Sequence, residues 1–222
     1  DSGIKSSTNE ISSFAKCFVG ENNFAFGDEN GNVYLYDCQT MRFKNDIKIM
    51  GEITGICFDN NGVNVYISNL LGEIYLFDLR KYRNCLNKIN DFGNYSTNCM
   101  QISNNSIYLS TGSKNGFVNL YKADEIKQRI NEDIEPIKTF DNLTTSCDYV
   151  RFNSDSTLLG MSSRWKKNAL RLARLDNFKV FSNFPAFNER IKYPICFDFS
   201  CDSNFFAIGN DEGKGLLYKT QL

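Results

Sequence analysis

The sequence contains no histidine, only three prolines, a single tryptophan and no long apolar run. Each shortage excludes something. Without histidine there is no Ser-His-Asp or Cys-His catalytic set, and the usual partner of cysteine in mixed zinc sites is missing. No stretch approaches the roughly 18 consecutive apolar residues that a membrane helix requires, so no membrane partner is expected. The first residues, DSGIKSSTNE, lack the basic start, apolar middle and small-residue cleavage site of a signal peptide. Neither GxxxxGK[ST] nor GxGxxG between a strand and a helix occurs. The expectation is a protein with no enzymatic activity, no cofactor, no metal and no small-molecule substrate. The scarcity of proline suits β-ladders that need every backbone N–H.

What is there in number is cysteine, eight in 222 residues. Cys57, Cys99, Cys147 and Cys196 lie in apolar runs, no pair has CxxC spacing, and the closest two, Cys196 and Cys201, are five apart. All eight are therefore expected to be free thiols, mostly buried as small apolar residues, in a reducing compartment. The Asn-x-Ser/Thr triplets at Asn94, Asn104 and Asn142 then carry no meaning, because such sites matter in secreted chains. Acidic pairs at Asp28-Glu29 and Asp211-Glu212 read as turn residues, which favour these positions for backbone reasons.

The strongest signal is repetition. A motif of Gly, any residue, an aliphatic residue, any residue, Leu and an aromatic residue reads GNVYLYD from Gly31, GEIYLFD from Gly72 and GFVNLYK from Gly116. A degraded copy, NALRLAR, starts at Asn168, and GKGLLYK starts at Gly213. Successive starts are 41, 44, 52 and 45 residues apart, the period of a four-stranded propeller blade. A second motif, an apolar residue followed by a turn of Asp, Asn and Ser and a second apolar run, begins at Phe58, Ile102, Phe152 and Phe199. It precedes the first motif by 14 residues, or by 16 in the case of Phe152. Each unit thus reads as strand, polar turn, strand, Gly turn, strand, with the Val, Ile, Phe and Tyr content that strands prefer.

One such unit cannot bury both its faces, so units must stack. The reading is an all-β, WD-repeat-type β-propeller forming a single domain over 1–222. Its repeats fall at roughly 10–50, 51–93, 94–143, 144–190 and 191–222. Third strands are expected at Val33 to Tyr36, Ile74 to Phe77, Val118 to Tyr121, Leu170 to Ala173 and Leu216 to Tyr218. The terminal Trp-Asp of the repeat is replaced by Tyr36-Asp37 and Phe77-Asp78, and the acid is lost at Lys122 and Lys219. With no histidine, the Asp–His network that ties typical blades together must be absent. The segment up to Phe14 offers no good strand to complete the last blade, which favours about five blades of a seven-bladed propeller over a closed ring of five. Helical periodicity is weak except around Asp124 to Lys138.

The net charge of −1 hides an asymmetry. Asp1 to Val150 holds 14 basic and 19 acidic residues, whereas Arg151 to Leu222 holds 11 basic and 7 acidic. The excess is concentrated in SSRWKKNALRLAR, where Arg164, Lys166, Lys167, Arg171 and Arg174 have no acid in sequence between Ser162 and Leu175. An exposed Trp165 beside Arg164, Lys166 and Lys167 would stack on a base or a partner side chain while the cations meet phosphates. The bland alternative is a lengthened hairpin loop with solvated lysines and Trp165 packed on the blade.

The same region carries a family resemblance. RWKKNALRLARLDNFKVFSNFP, Arg164 to Pro185, resembles the late blades of the U3 small nucleolar RNA-associated protein 18 family. So does the last repeat, FDFSCDSNFFAIGNDEGKGLLYK, with Asn210, Gly213 and Lys214. Earlier repeats fit that register more loosely. The resemblance implies a larger propeller preceded by a polar extension. It also implies a non-enzymatic scaffold of the nucleolar small-subunit processome, acting in ribosomal RNA maturation. Its partners would be other propeller proteins of a ribonucleoprotein assembly, and ribosomal precursor or small nucleolar RNA. Arg164, Trp165, Lys166 and Lys167, with Phe181 and Phe184 of VFSNFP, are the candidate partner-binding residues; the phenylalanines read more readily as apolar cover of a blade edge. A rival from another class is a propeller adaptor such as a ubiquitin-ligase substrate receptor.

Overall fold

A computed structural model describes residues 10–16, 23–130, 132–186 and 190–220. They form five antiparallel sheets in chain order. The first is β1 (Ile11–Lys16), β2 (Asn23–Asp28), β3 (Asn32–Asp37) and β4 (Phe43–Lys48). The second is β5 (Ile53–Phe58), β6 (Asn64–Asn69), β7 (Glu73–Asp78) and β8 (Cys85–Asn90). The third is β9 (Thr97–Ile102), β10 (Tyr108–Ser113), β11 (Val118–Lys122) and β12 (Lys138–Phe140), with the short helix α1 (Ala123–Gln128) before its last strand. The fourth is β13 (Tyr149–Phe152), β14 (Leu158–Ser162) and β15 (Leu170–Arg174), and the fifth is β16 (Pro194–Phe199), β17 (Phe205–Asn210) and β18 (Gly215–Lys219). All five third strands stand where the Gly motif places them.

The first strands of consecutive sheets lie against one another, β1 on β5, β5 on β9, β9 on β13 and β13 on β16. Between each neighbouring pair of sheets is one apolar core. Val65 and Ile67 of β6 face the first sheet, while Tyr66 between them faces the third. Inner strands are therefore buried on both faces, which is why they read as near-continuous apolar runs and not as an alternation. Val118 and Leu120 meet Leu159 and Met161, and Leu172 meets Phe197 and Phe206, in the last two cores. Serial sheets packed in this way fit the blades of a propeller.

The turn between the second and third strands follows one chemical plan. Asp28, Asn69 and Asn210 each use a side-chain oxygen to accept the backbone N–H groups two and four residues ahead. Ser113 accepts only the N–H four ahead, from Phe117. The glycine between them takes a left-handed backbone, φ 88° at Gly31 and 87° at Gly116. A Cβ there would fall 2.4–2.5 Å from the carbonyl oxygens of Ile49 and Leu143. In the degraded fourth copy Asn168 holds that position with φ 55°, as asparagine tolerates better than most residues.

Three expectations need correction. Ile11–Lys16, too polar to be read as a strand in the sequence, is one, and it belongs to the first sheet. The helix near Asp124 is only six residues, ending where Arg129 leaves the helical backbone at φ −93°, ψ 82°. The seven described cysteines are free thiols, but only Cys57 and Cys147 are buried, whereas Cys85, Cys196 and Cys201 are exposed. Cys85 lies on an outer strand, Cys196 on the outward face of the fifth sheet and Cys201 in a turn; Cys17 lies outside the described residues.

Candidate partner-binding site

The turn between β14 and β15 is three or four residues longer than its counterparts and carries Arg164, Trp165, Lys166 and Lys167, all exposed. Trp165 is 66% accessible, so it is not packed on the sheet. What holds the turn is Asp148, from the connection that leads into β13. Its carboxylate accepts the backbone N–H of Arg164 at 3.0 Å and the indole Nε1–H at 3.2 Å, and lies 3.7 Å from the Arg164 guanidinium. The guanidinium also sits 5.9 Å from the indole centroid. Sequence proximity gave no sign of this acid, sixteen residues away, that offsets the first cation.

The remaining cations are placed differently. Lys166 donates to the Thr144 hydroxyl at 2.9 Å. Lys167 lies 5.8 Å from the centre of the Tyr193 ring. Arg174 pairs with Asp176 at 2.8 Å. Arg171 donates one guanidinium nitrogen to two backbone carbonyls, those of Asn168 at 3.1 Å and Leu170 at 2.8 Å. Among the described residues Lys166, Lys167 and Arg171 have no carboxylate partner.

VFSNFP begins as a vestigial fourth strand. Val180 bridges to Ala173, and the Phe181 N–H donates to the Leu172 carbonyl. The chain then diverges from β15 toward the fifth sheet, where Phe184 meets Phe206 and Tyr218 edge-on, with ring centres 6.0 and 5.6 Å apart. Phe181 and Phe184 are half-buried against the core between sheets four and five. Each is thus partly covered by its own fold and partly open to solvent. Where the chain diverges, a cleft of about 520 Å³ opens, bringing Lys167 and Arg171 beside Phe181 and Phe184. Arg164, Trp165 and Lys166 lie outside it.

A second polar feature, missed in the sequence, lies at the third sheet. Asp91 is buried and accepts five hydrogen bonds: from Asn94 and Thr97 at 3.0 and 2.9 Å, and from Thr111, Asn119 and Tyr121 at 2.9, 2.9 and 2.7 Å. Burial, and then the Asp91 charge, push the Tyr121 phenol well above its ordinary pKa and keep it a donor. A network that ties the loop between sheets two and three to three strands thus exists without histidine.

The serial sheets and the exposed, partly cationic turn define an all-β protein of five antiparallel sheets packed one on the next. No family model matches the chain. Individual relatives do. It is 35% identical over 198 residues, 89% of its length, to the U3 small nucleolar RNA-associated protein 18 homolog of Arabidopsis thaliana. Over 190 residues, 85% of its length, it is 35% identical to the homolog of Homo sapiens. It is 32% identical over 194 residues, 78% of its length, to U3 small nucleolar RNA-associated protein 18 of Saccharomyces cerevisiae. The chain spans about a third of the length of these curated relatives, 36%, 34% and 32% respectively. It is a sequence relative of the U3 small nucleolar RNA-associated protein 18 family.

Proposed function

We propose that this chain is a non-enzymatic scaffold in ribosome biogenesis, a nucleolar component of the small-subunit processome that acts in ribosomal RNA maturation. The observation that carries the reading is the relationship, over most of the chain, to proteins named for association with U3 small nucleolar RNA. The five sheets are its WD-repeat-type propeller blades, part of a larger, seven-bladed ring. Exposed Ile11, Phe14 and Phe43 on the first sheet, and Ile195, Phe205 and Leu217 on the fifth, support further blades on both sides. Its partners are other propeller proteins of the assembly and precursor or small nucleolar RNA. The turn at Arg164, Trp165, Lys166 and Lys167 is a contact with that assembly.

Reversing Arg164, Lys166 and Lys167 to glutamate tests the contact. Co-sedimentation with ribosomal precursor particles is expected to fall at least tenfold while the melting temperature stays within 1–2 °C, roughly the effect of surface substitutions. Unchanged co-sedimentation overturns the role of the turn, and a collapsed melting temperature makes the turn structural. Recovery of ubiquitin-ligase subunits instead of processome proteins with the tagged wild-type chain overturns the function itself.

A further inference from the structure

In the first three sheets a regular strand covers the outer edge of the third strand: β4 on β3, β8 on β7 and β12 on β11. The fourth sheet differs. Its edge is covered only near Leu172 to Arg174, by the Val180 bridge and the bonds from the Phe181 N–H to Leu172 and from the Arg174 N–H to Lys179. The carbonyls of Asn168 and Leu170, which continue the same edge, are taken by the Arg171 guanidinium instead. This stretch forms one wall of the 520 Å³ cleft, whose other wall is the diverging VFSNFP segment. Lys167 and Arg171 are the charged residues of its lining, and among the described residues no acid lines it.

We infer that this edge receives an extended, acidic peptide segment of a partner protein, which adds to β15 as a fourth strand. The inference rests on the scaffold reading above and names the partner chemistry at the same blade. Peptide N–H groups replace the guanidinium on the carbonyls of Asn168 and Leu170, since strand addition is satisfied by main-chain bonds. The released guanidinium, with Lys167, then meets carboxylates on alternate peptide residues. Residues of the opposite parity lie against Phe181 and Phe184. A nucleic acid would find the same charges but has no N–H ladder to pair with a strand edge. Capping by Arg171 in the absence of a peptide keeps the edge from pairing indiscriminately, a known hazard of open strands.

The test uses the full chain and a fluorescein-labelled Glu-Val-Glu-Val-Glu-Val peptide, measured by fluorescence anisotropy. Binding is expected, and N-methylation of alternate peptide nitrogens, which removes donors without changing charge, should weaken it at least tenfold. Arg171→Glu should weaken it at least tenfold as well. Lys167→Glu, at an exposed position, should do so in smaller measure and guards against misfolding of the first variant. A ten-residue oligouridine should not compete. Equal binding of the N-methylated peptide overturns strand addition, and failure of the acidic peptide to bind overturns the inference altogether. Displacement by oligouridine reassigns the cleft to nucleic acid. None of these results depends on particle co-sedimentation, so the scaffold reading stands or falls separately.

Discussion

The hydroxyl oxygen of Ser106 accepts the backbone N–H of Asn60 at 2.6 Å, joining a turn of the third sheet to the matching turn of the second. The same arrangement recurs twice: Ser156 accepts from Asn105 at 3.3 Å and Ser203 from Asp155 at 3.2 Å. All three serines have a left-handed backbone, with φ of 55–57°. That conformation costs a serine about 1 kcal/mol relative to glycine. The recurrence of serine at this place follows from the hydroxyl, which latches each sheet to its predecessor.

The latch can be dissected at Ser156. Ser156→Ala keeps the strain and loses a bond worth about 1 kcal/mol, lowering the melting temperature by about 2–4 °C. Ser156→Gly also loses the bond but relieves the backbone, so its loss should be the smaller of the two. Thermal melts of both variants decide the matter. A glycine variant less stable than the alanine variant would contradict the left-handed conformation.

Asp91 should be the most sensitive polar position of the third sheet. Tyr121→Phe removes one donor to a buried carboxylate and should cost about 1.5–3 kcal/mol. Asp91→Ala orphans five donors and should cost more than about 3 kcal/mol, with Asp91→Asn between the two. Urea denaturation measures all three. A tyrosine variant as stable as the parent would show that the phenol–carboxylate bond adds nothing.

Glu212 provides a pH signature on the surface of the fifth sheet. Hydrogen bonds from Lys214 and then Lys192, at 2.8 and 3.0 Å, lower its carboxyl pKa to about 2. Because the folded value lies below the unfolded one, near 4.3, the favourable contribution is complete above that unfolded value. It is lost as pH falls through about 2. A carboxyl-resolved NMR titration should place the midpoint near 2 at low salt. In 1 M salt it should move back toward about 4.3, because exposed pairs are screened. A low-salt midpoint near 4.3 would show that the lysines do not engage it.

The third strands were legible because each carries its turn chemistry in seven consecutive residues, and even NALRLAR kept it through Asn168. Ile11–Lys16 was not: ISSFAK has the apolar content of a loop and is a strand only because β2 pairs with it. The serine turns were readable as turns, but their role was hidden, since the partner N–H belongs to the preceding repeat. Asp91 was invisible for the same reason, its donors being scattered from Asn94 to Tyr121. At the candidate site the run of cations from Arg164 to Lys167 was legible, but whether Trp165 was exposed or packed on the sheet was left open. Asp148 beneath them and the open edge beside Arg171 depend on packing between connections far apart in the chain.

Trp165 is the only tryptophan, so intrinsic fluorescence reports on the turn alone. Its ring is largely in solvent and anchored by one bond, from Nε1 to Asp148. The free protein should therefore emit like a solvated indole and be quenched readily by acrylamide. Urea unfolding should shift the emission little, since the ring is already wet. Asp148→Ala removes the anchor and leaves the spectrum of an exposed indole, with greater depolarisation as the ring moves more freely. Binding of a macromolecule at the turn should shift the emission to the blue and protect it from acrylamide, in parallel with co-sedimentation. A blue emission in the free protein that moves to the red in urea would mean the ring is buried, and the turn could not then present it to a partner.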